Sequence, residues 1–334
     1  MKTKLINENF KSNYVDLLLK SRGIENPQDY YAPTSKYLQS PCDLENIGEG
    51  AMLLEEVIKL GEKILIVVDS DNDGFTSATI MYNYLKDLAP ELEIDYVLHE
   101  GKQHGLEDHI EKLVSEGKNY GLIILPDSSS NDFEFHERLK EIGASVLVLD
   151  HHLTDVKISK NAVVVNNQLS PNYKNKELTG AGVVYQFCRY LDWYFKSDNT
   201  SADKYMDLAA WGIIGDMGSM LELENRYIVK EGLKNINNKL LWALMEKQAY
   251  SITGAMNPSR QQLIDAMNPI SVAFYIVPLV NAMIRVGTMD EKRRLFEAFL
   301  DGDKMVPSGK RGAKGTFEKA GVEAARECSN ARNR

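Results

Sequence analysis

Asp69, Asp71 and Asp73 alternate with Ser70 and Asn72 in "VVDSDNDGFTSA" (67 to 78), directly after an apolar run. Carboxylates this close repel one another and cost stability unless a cation compensates them, so a metal is the first chemistry to consider. The pattern Asp69-x-Asp71-x-Asp73-Gly74 matches the opening of an EF-hand calcium loop. That loop needs a bidentate Glu at its twelfth position, where this chain has Ile80, and the entering element reads as a strand instead of a helix. Both departures argue against calcium sensing. A phosphate-cradling glycine loop is equally poorly matched, because Gly74 stands without the further glycines that would admit a pyrophosphate. What remains is a strand-end acid cluster suited to Mn²⁺ or Mg²⁺.

Three further segments carry residues of the same kind. "VLVLDHHLTD" places Asp150, His151 and His152 at the end of another apolar run, and imidazole nitrogen beside carboxylate oxygen is a donor set for Mn²⁺ and other borderline ions. Adjacent histidines on a surface loop are commonly idle, but a shared sheet edge with Asp69, Asp71 and Asp127 favours ligands. Asp127 leaves a third apolar run in "LIILPDSSSND", and Ser128, Ser129 and Ser130 read as caps for the following helix. Asp216 lies in the apolar, glycine-rich "AAWGIIGDMGSM", where a buried carboxylate requires a partner such as a metal ion. In "LTGAGVVYQF", Thr179 reads as a helix cap, and Gly180, Ala181 and Gly182 offer bare backbone N–H groups to an anion or, equally, a surface for close helix packing.

The elements that must position these residues follow from hydrophobic period. The short β-rich runs 63–69, 94–99, 120–127, 144–150 and 161–166 alternate with amphipathic stretches at 75–88, 106–116 and 132–142. Alternation of this type, with strands apolar on both faces, predicts an α/β fold: a parallel sheet flanked by helices. Asp69, Asp127 and Asp150 all end strands, and ligands bind outside the carboxyl ends of strands in such sheets. The predicted organisation is a helical leader packed on the core over 1–60, closed by Gly61, and an α/β core with the acid motifs over 61–178. A mostly helical remainder carrying Asp216 follows over 179–300, with helices at 180–196, 202–215, 224–248 and 259–300. A connector and the start of a long helix occupy 301–334.

Composition limits the function. With 334 residues, 43% hydrophobic and 26% charged, the chain is long enough for a sizeable core. No 18-residue apolar window stands out and the opening residues are too polar for a secretory signal, so the expected location is cytoplasmic, with no membrane partner. Cys42, Cys188 and Cys328 are too few and too far apart for a disulfide framework or zinc knuckle. A net charge of −9 argues against a general nucleic-acid coat protein. The balance reverses after Lys304, where Lys310, Arg311, Lys314 and Lys319 could meet phosphates or form a solvated basic face.

Taken in order, these segments resemble the DHH phosphoesterase superfamily, whose motif is Asp150-His151-His152, and within it the RecJ-type single-strand-specific exonucleases. "LLLKSRGIENPQDYY" is similar to that family's leading segment, "GEKILIVVDSDNDG" to its first aspartate motif, "LTGAGVVYQF" to its LSGAGV-like helix start and "AAWGIIGDMGSM" to its fourth motif. The resemblance implies two divalent ions, Mn²⁺ or Mg²⁺, held by Asp69, Asp71, Asp127, His151 and Asp216, with Asp127 as the bridge. Asp150 would orient His151, His152 would touch the scissile phosphate, and Asp73 belongs to the motif less surely as a ligand. Two ions about 4 Å apart would activate water and neutralise the attacking and leaving oxygens. Gly180, Ala181, Gly182 and Arg311 are the expected phosphate contacts.

The implied activity is 5′ to 3′ hydrolysis of single-stranded DNA to mononucleotides by a monomer, with a single-strand-binding protein as a plausible partner. DSDND and DSSSND depart from the family's usual spacing residues and mark a divergent, phage-like branch. The family's downstream DHH-associated domain is not expected within this chain, which runs out in what reads as the joining helix. Two alternatives stay open: a DHH phosphodiesterase for short oligonucleotides or cyclic dinucleotides, and a non-catalytic binding module of the same fold.

Overall fold

Ile64, Leu65, Ile66, Val67 and Val68 are buried without exception, which is possible only for a strand covered on both faces. The computed structural model describes residues 13–116, 120–154 and 159–334. Within them β1 (Ile64–Val68), β2 (Ile94–Leu98), β3 (Leu122–Pro126), β4 (Ser145–Asp150) and β5 (Val163–Asn166) form a five-stranded sheet in the order β2-β1-β3-β4-β5. Every pairing is parallel. All five strands lie within two residues of the ranges that periodicity predicted.

Side chains alternate across the pleat and divide the core in two. Leu65, Val67, Ile123, Leu125, Val146 and Val148 face one layer, closed by helices 110–116 and 133–141 through residues such as Ile110, Leu113 and Leu139. Ile64, Ile66, Val68, Ile124, Leu147 and Leu149 face the larger layer. That layer holds α1 (Ile47–Leu60), α2 (Asn72–Leu88), α3 (Gly180–Phe195) and α4 (Met206–Gly215), and α2, α3 and α4 pack on one another. Gly61 ends α1 at φ 65°, a left-handed turn at the stop that the sequence suggested.

Strand order reverses between β1 and β3, since β2 lies on one side of β1 while β3, β4 and β5 lie on the other. The loops leaving β1 and β3 therefore diverge, and a crevice opens between them. Asp69 and Asp127 are the first residues beyond those strands. Gly74 makes the β1–α2 turn possible: a Cβ there would lie 2.5 Å from the Asp69 Cβ and 2.6 Å from its carbonyl oxygen.

The helical half is more broken than the sequence suggested. The predicted helix 224–248 is two, Leu223–Lys234 and Lys239–Lys247, because buried Asp207 draws the backbone N–H groups of Asn237 and Asn238 at 2.7 and 2.8 Å. Capping boxes at Ser259, Asn268 and Thr288 likewise divide 259–300. Among the described residues one helical stretch, Pro269–Val286, is long and apolar enough to cross a membrane. It packs Val272, Ile276, Val280 and Met283 into the core. The predicted connector contains a two-stranded antiparallel pair, 305–307 with 317–319, and helix Ala320–Ala331 docks on helices 239–247, 277–286 and 289–300.

Replacing Gly74 by alanine should lower unfolding free energy by about 1–3 kcal/mol, the usual scale for overpacking. A chemical-denaturation midpoint that stays at the wild-type value would refute this account of the turn.

Candidate metal centre

β1 and β3 deliver the deepest acids. Asp69 is 1% exposed and Asp127 2%. The Asp69 carboxylate accepts the Gly105 N–H at 3.3 Å and lies 2.5 Å from His104 Nδ1. Asp71 caps α2 by accepting the Gly74 N–H at 3.0 Å. Asp127 has φ 67°, an uncommon value for a residue other than glycine, with its N–H donated to the Leu149 carbonyl at 2.8 Å. Its Oδ1 is buried without a hydrogen-bond donor and stands 3.2 Å from His151 Nε2.

The polar groups converge into three overlapping sets. Asp69, Asp71 and Asp127 bring carboxylate oxygens within 4.8 Å of one another, Asp73 and Asp216 do so with a His151 ring nitrogen, and Asp127, Asp150, His151 and His152 form the third. His151 Nε2 lies 3.6 Å from Asp216 Oδ2 and 4.0 Å from Asp73 Oδ2, so Asp127 and His151 form the seam between the sets. All five expected ligands are thus brought together, with Asp73 beside them.

Each group's ionisation has an identifiable cause. Burial pushes Asp127 well above the usual carboxylate range, and neighbouring Asp73, Asp71 and Asp69 add to it. Burial with Asp216 and Asp71 pushes Asp73 up to about 8, against the pull of the α3 N–H groups and Thr179. Burial raises Asp216 to about 6, with Asp71 adding to it. Burial lowers His151 to about 4, leaving a neutral imidazole with an available lone pair. A buried orphan oxygen beside a neutral imidazole and several carboxylates is a donor set that fits Mn²⁺ or Mg²⁺.

Several expectations need correction. Asp150 does not orient the His151 ring: its Oδ1 accepts the His151 backbone N–H at 2.7 Å and pairs with His152 Nδ1 at 2.7 Å. The Asp150 hydrogen bond lifts His152 to about 9 despite partial burial, so this second histidine is cationic near neutrality. Burial would raise Asp150, yet the His152 hydrogen bond and charge hold it below the usual range. Its oxygens are further occupied by the N–H groups of His152 and Ser130, which leaves it a poor ligand.

Gly180 and Ala181 do receive an acidic group, but it is the Asp73 carboxyl, which takes their N–H groups at 2.7 and 3.1 Å and the Thr179 hydroxyl at 3.2 Å. Those donors are then not available to a substrate phosphate. Gly182 serves packing, since a Cβ there would meet Leu178 Cδ1 at 2.3 Å. The three serines after Asp127 do not cap the next helix, whose first residue is Phe133. Ser130 instead joins Asp150 to Asn166 above the strand ends. Asp216 is only partly buried: at the C-terminus of α4 its side chain is 38% exposed, at the open side of the cluster.

Arg311 sits exposed on the turn of the 305–319 hairpin. Much of the surrounding positive charge is paired internally, Lys310 with Glu318, Lys319 with Asp303, Arg326 with Glu323 and Arg334 with Glu291. His104 was missed by sequence reasoning. A lone histidine in "GKQHG" has no motif, and only the position of the β2 end on the same sheet edge could have drawn attention to it.

Residues 63–213 match the DHH family, N-terminal domain. The relatives are RecJ-type proteins. A SPbeta prophage-derived chain of Bacillus subtilis (strain 168), which carries the name single-strand DNA-specific exonuclease YorK, is 38% identical over 313 residues, 93% of this chain and 51% of that one. The single-stranded-DNA-specific exonuclease RecJ of Thermus thermophilus is 31% identical over 255 residues, 75% of this chain and 35% of that one. A crystal structure of exonuclease RecJ bound to manganese superposes with a TM-score of 0.67 at 25% identity, covering 87% of this chain and 66% of that chain. This chain therefore spans about half the length of YorK and about a third of that RecJ.

Exchanging Asp150 for asparagine removes the anion that keeps His152 protonated. In an NMR titration of the metal-free chain the His152 pKa should fall from about 9 toward the ordinary value of about 6.5. A value that stays near 9 would show that other carboxylates hold the charge.

Proposed function

We propose that this chain is a metal-dependent exonuclease on single-stranded DNA, using two divalent ions, Mn²⁺ or Mg²⁺, to hydrolyse phosphodiester bonds. The observation that carries the reading is Asp127 Oδ1, buried without a hydrogen-bond donor on the seam between two donor sets. The names of the YorK and RecJ relatives and the manganese in the RecJ structure support the substrate class and the ion.

Asp69, Asp71 and Asp127 would hold one ion, and His151, Asp216 and the shared Asp127 the other. When bound, the ions supply an activated water and neutralise charge on the attacking and leaving oxygens. The remaining work belongs to the chain. His104 and Gly105 orient Asp69, helix α3 locks Asp73 in place, and Asp150 takes the Nδ1 proton of His152 as a hydrogen bond. His152 Nε2–H is then free to donate to a phosphate oxygen, and its positive charge favours that contact. A 5′ to 3′ direction, monomeric action and a single-strand-binding protein partner are the accompanying expectations.

The cation-free site resists ionisation, which gives pH a definite sign. Asp73 and Asp216, at about 8 and 6, retain protons that the unfolded chain releases above about pH 4. Their contribution to stability is therefore complete below pH 4 and is lost as pH rises through about 6 and then 8. Added Mn²⁺ competes with these protons, so its gain in melting temperature should be larger at pH 8 than at pH 6. A gain independent of pH would contradict this linkage.

The decisive assay is hydrolysis of 5′-labelled and 3′-labelled single-stranded DNA with Mn²⁺, alongside a labelled dinucleotide. Mononucleotide should appear first from the 5′ end, and Asp127→Ala should lower the rate by about 10²–10³-fold, the scale of losing a single charge-stabilising group. Cleavage of the dinucleotide alone would transfer the reading to short oligonucleotides, and an unimpaired Asp127→Ala chain would remove the metal centre from the chemistry.

A further inference from the structure

Leu153 and Met217 are among the most exposed large hydrophobic side chains of the described residues, at 81% each. Scattered exposed hydrophobes are ordinary. Each of these two flanks a residue of the site, since Leu153 directly follows His152 and Met217 directly follows Asp216. The site opens on this side. Asp69, Asp73 and Asp127 are nearly inaccessible, whereas the side chains of His152 and Asp216 are 54% and 38% exposed. Contact between His151 and Asp216 at 3.6 Å draws the two segments together at the mouth.

Both backbones are held. The Leu153 carbonyl accepts a hydrogen bond from Asn131 Nδ2 at 3.2 Å. Met217 donates its N–H to the Ile214 carbonyl and Gly218 to the Ile213 carbonyl, a helix-terminating arrangement that leaves Met217 at φ 61°. Glycine is the usual occupant of that position, since a side chain in left-handed backbone carries a steric cost. Ending α4 therefore does not call for a methionine. A strained, exposed, apolar residue beside a cation ligand calls for a ligand-directed explanation.

We infer that Leu153 and Met217 form an apolar pair at the mouth of the cation site that receives a nucleobase of the strand being hydrolysed. The inference rests on the proposed function and names how that site grips its substrate. Base faces are apolar and common to all nucleotides, so a contact of this kind is tolerant of sequence. In a duplex those faces are stacked and paired, so the same pair discriminates in favour of single strands.

The test is the double variant L153A/M217G. Glycine suits the backbone at 217 and Leu153 is exposed, so the variant should melt no lower than the wild type and bind Mn²⁺ with the same calorimetric affinity. KM for a single-stranded oligonucleotide should rise about tenfold, a loss on the scale of one base contact. On an oligonucleotide with abasic residues at both ends, variant and wild type should have the same KM. An unchanged KM on the ordinary strand, or an equal rise on both strands, overturns the inference while the wild type still hydrolyses DNA. A wild type inert on both strands overturns the proposed function and this inference with it.

Discussion

The Asp73 carboxylate, accepting the N–H groups of Gly180 and Ala181 at the start of α3, is the contact on which the site's geometry depends. It joins the turn after β1 to a helix more than a hundred residues later in the chain. A third helix closes around the same carboxylate, since a Cβ on Gly212 of α4 would lie 2.3 Å from Asp73 Oδ1. Asp216 follows four residues after Gly212, so its carboxyl is aimed by the same packing that buries Asp73. A helix N-terminus is a favourable place for a carboxylate, and this one lets a buried acid be held without a cation of its own.

Crowding of like charge is the second constraint. Asp69, Asp71, Asp73, Asp127 and Asp216 share one crevice, and in the cation-free chain burial and mutual repulsion hold protons on several of them. The adjacent histidines divide the work by their hydrogen bonds. His151 is mostly enclosed, neutral and turned toward Asp127, while His152 is half-exposed and kept cationic by Asp150. Residues of the same type, one position apart, thus differ in charge near neutral pH because only one ring reaches the Asp150 carboxylate.

Much of this was legible in the chain itself. Apolar runs ending in Asp69, Asp127 and Asp150 specify parallel strands with acids at one edge, because a strand apolar on both faces must be covered and its first polar residue falls at the crevice. The five expected ligands meet there. Other local signals were read too locally: Ser130 looked like a cap and the Gly180–Ala181 backbone like a phosphate cradle, yet their partners are Asp150 and Asp73, brought in from other strands and loops.

The sequence by itself therefore determined the strand ends, the types of donor atom and the class of ion they suit, since hydrophobic period and residue chemistry are local properties. Tertiary structure decided which acid is held by a helix, which histidine is charged, and where the cluster opens to solvent. Those outcomes depend on burial and on hydrogen bonds between residues far apart in the chain. His104 against Asp69 and Met217 at the mouth acquire their positions only when β1, β2, α3 and α4 are packed together.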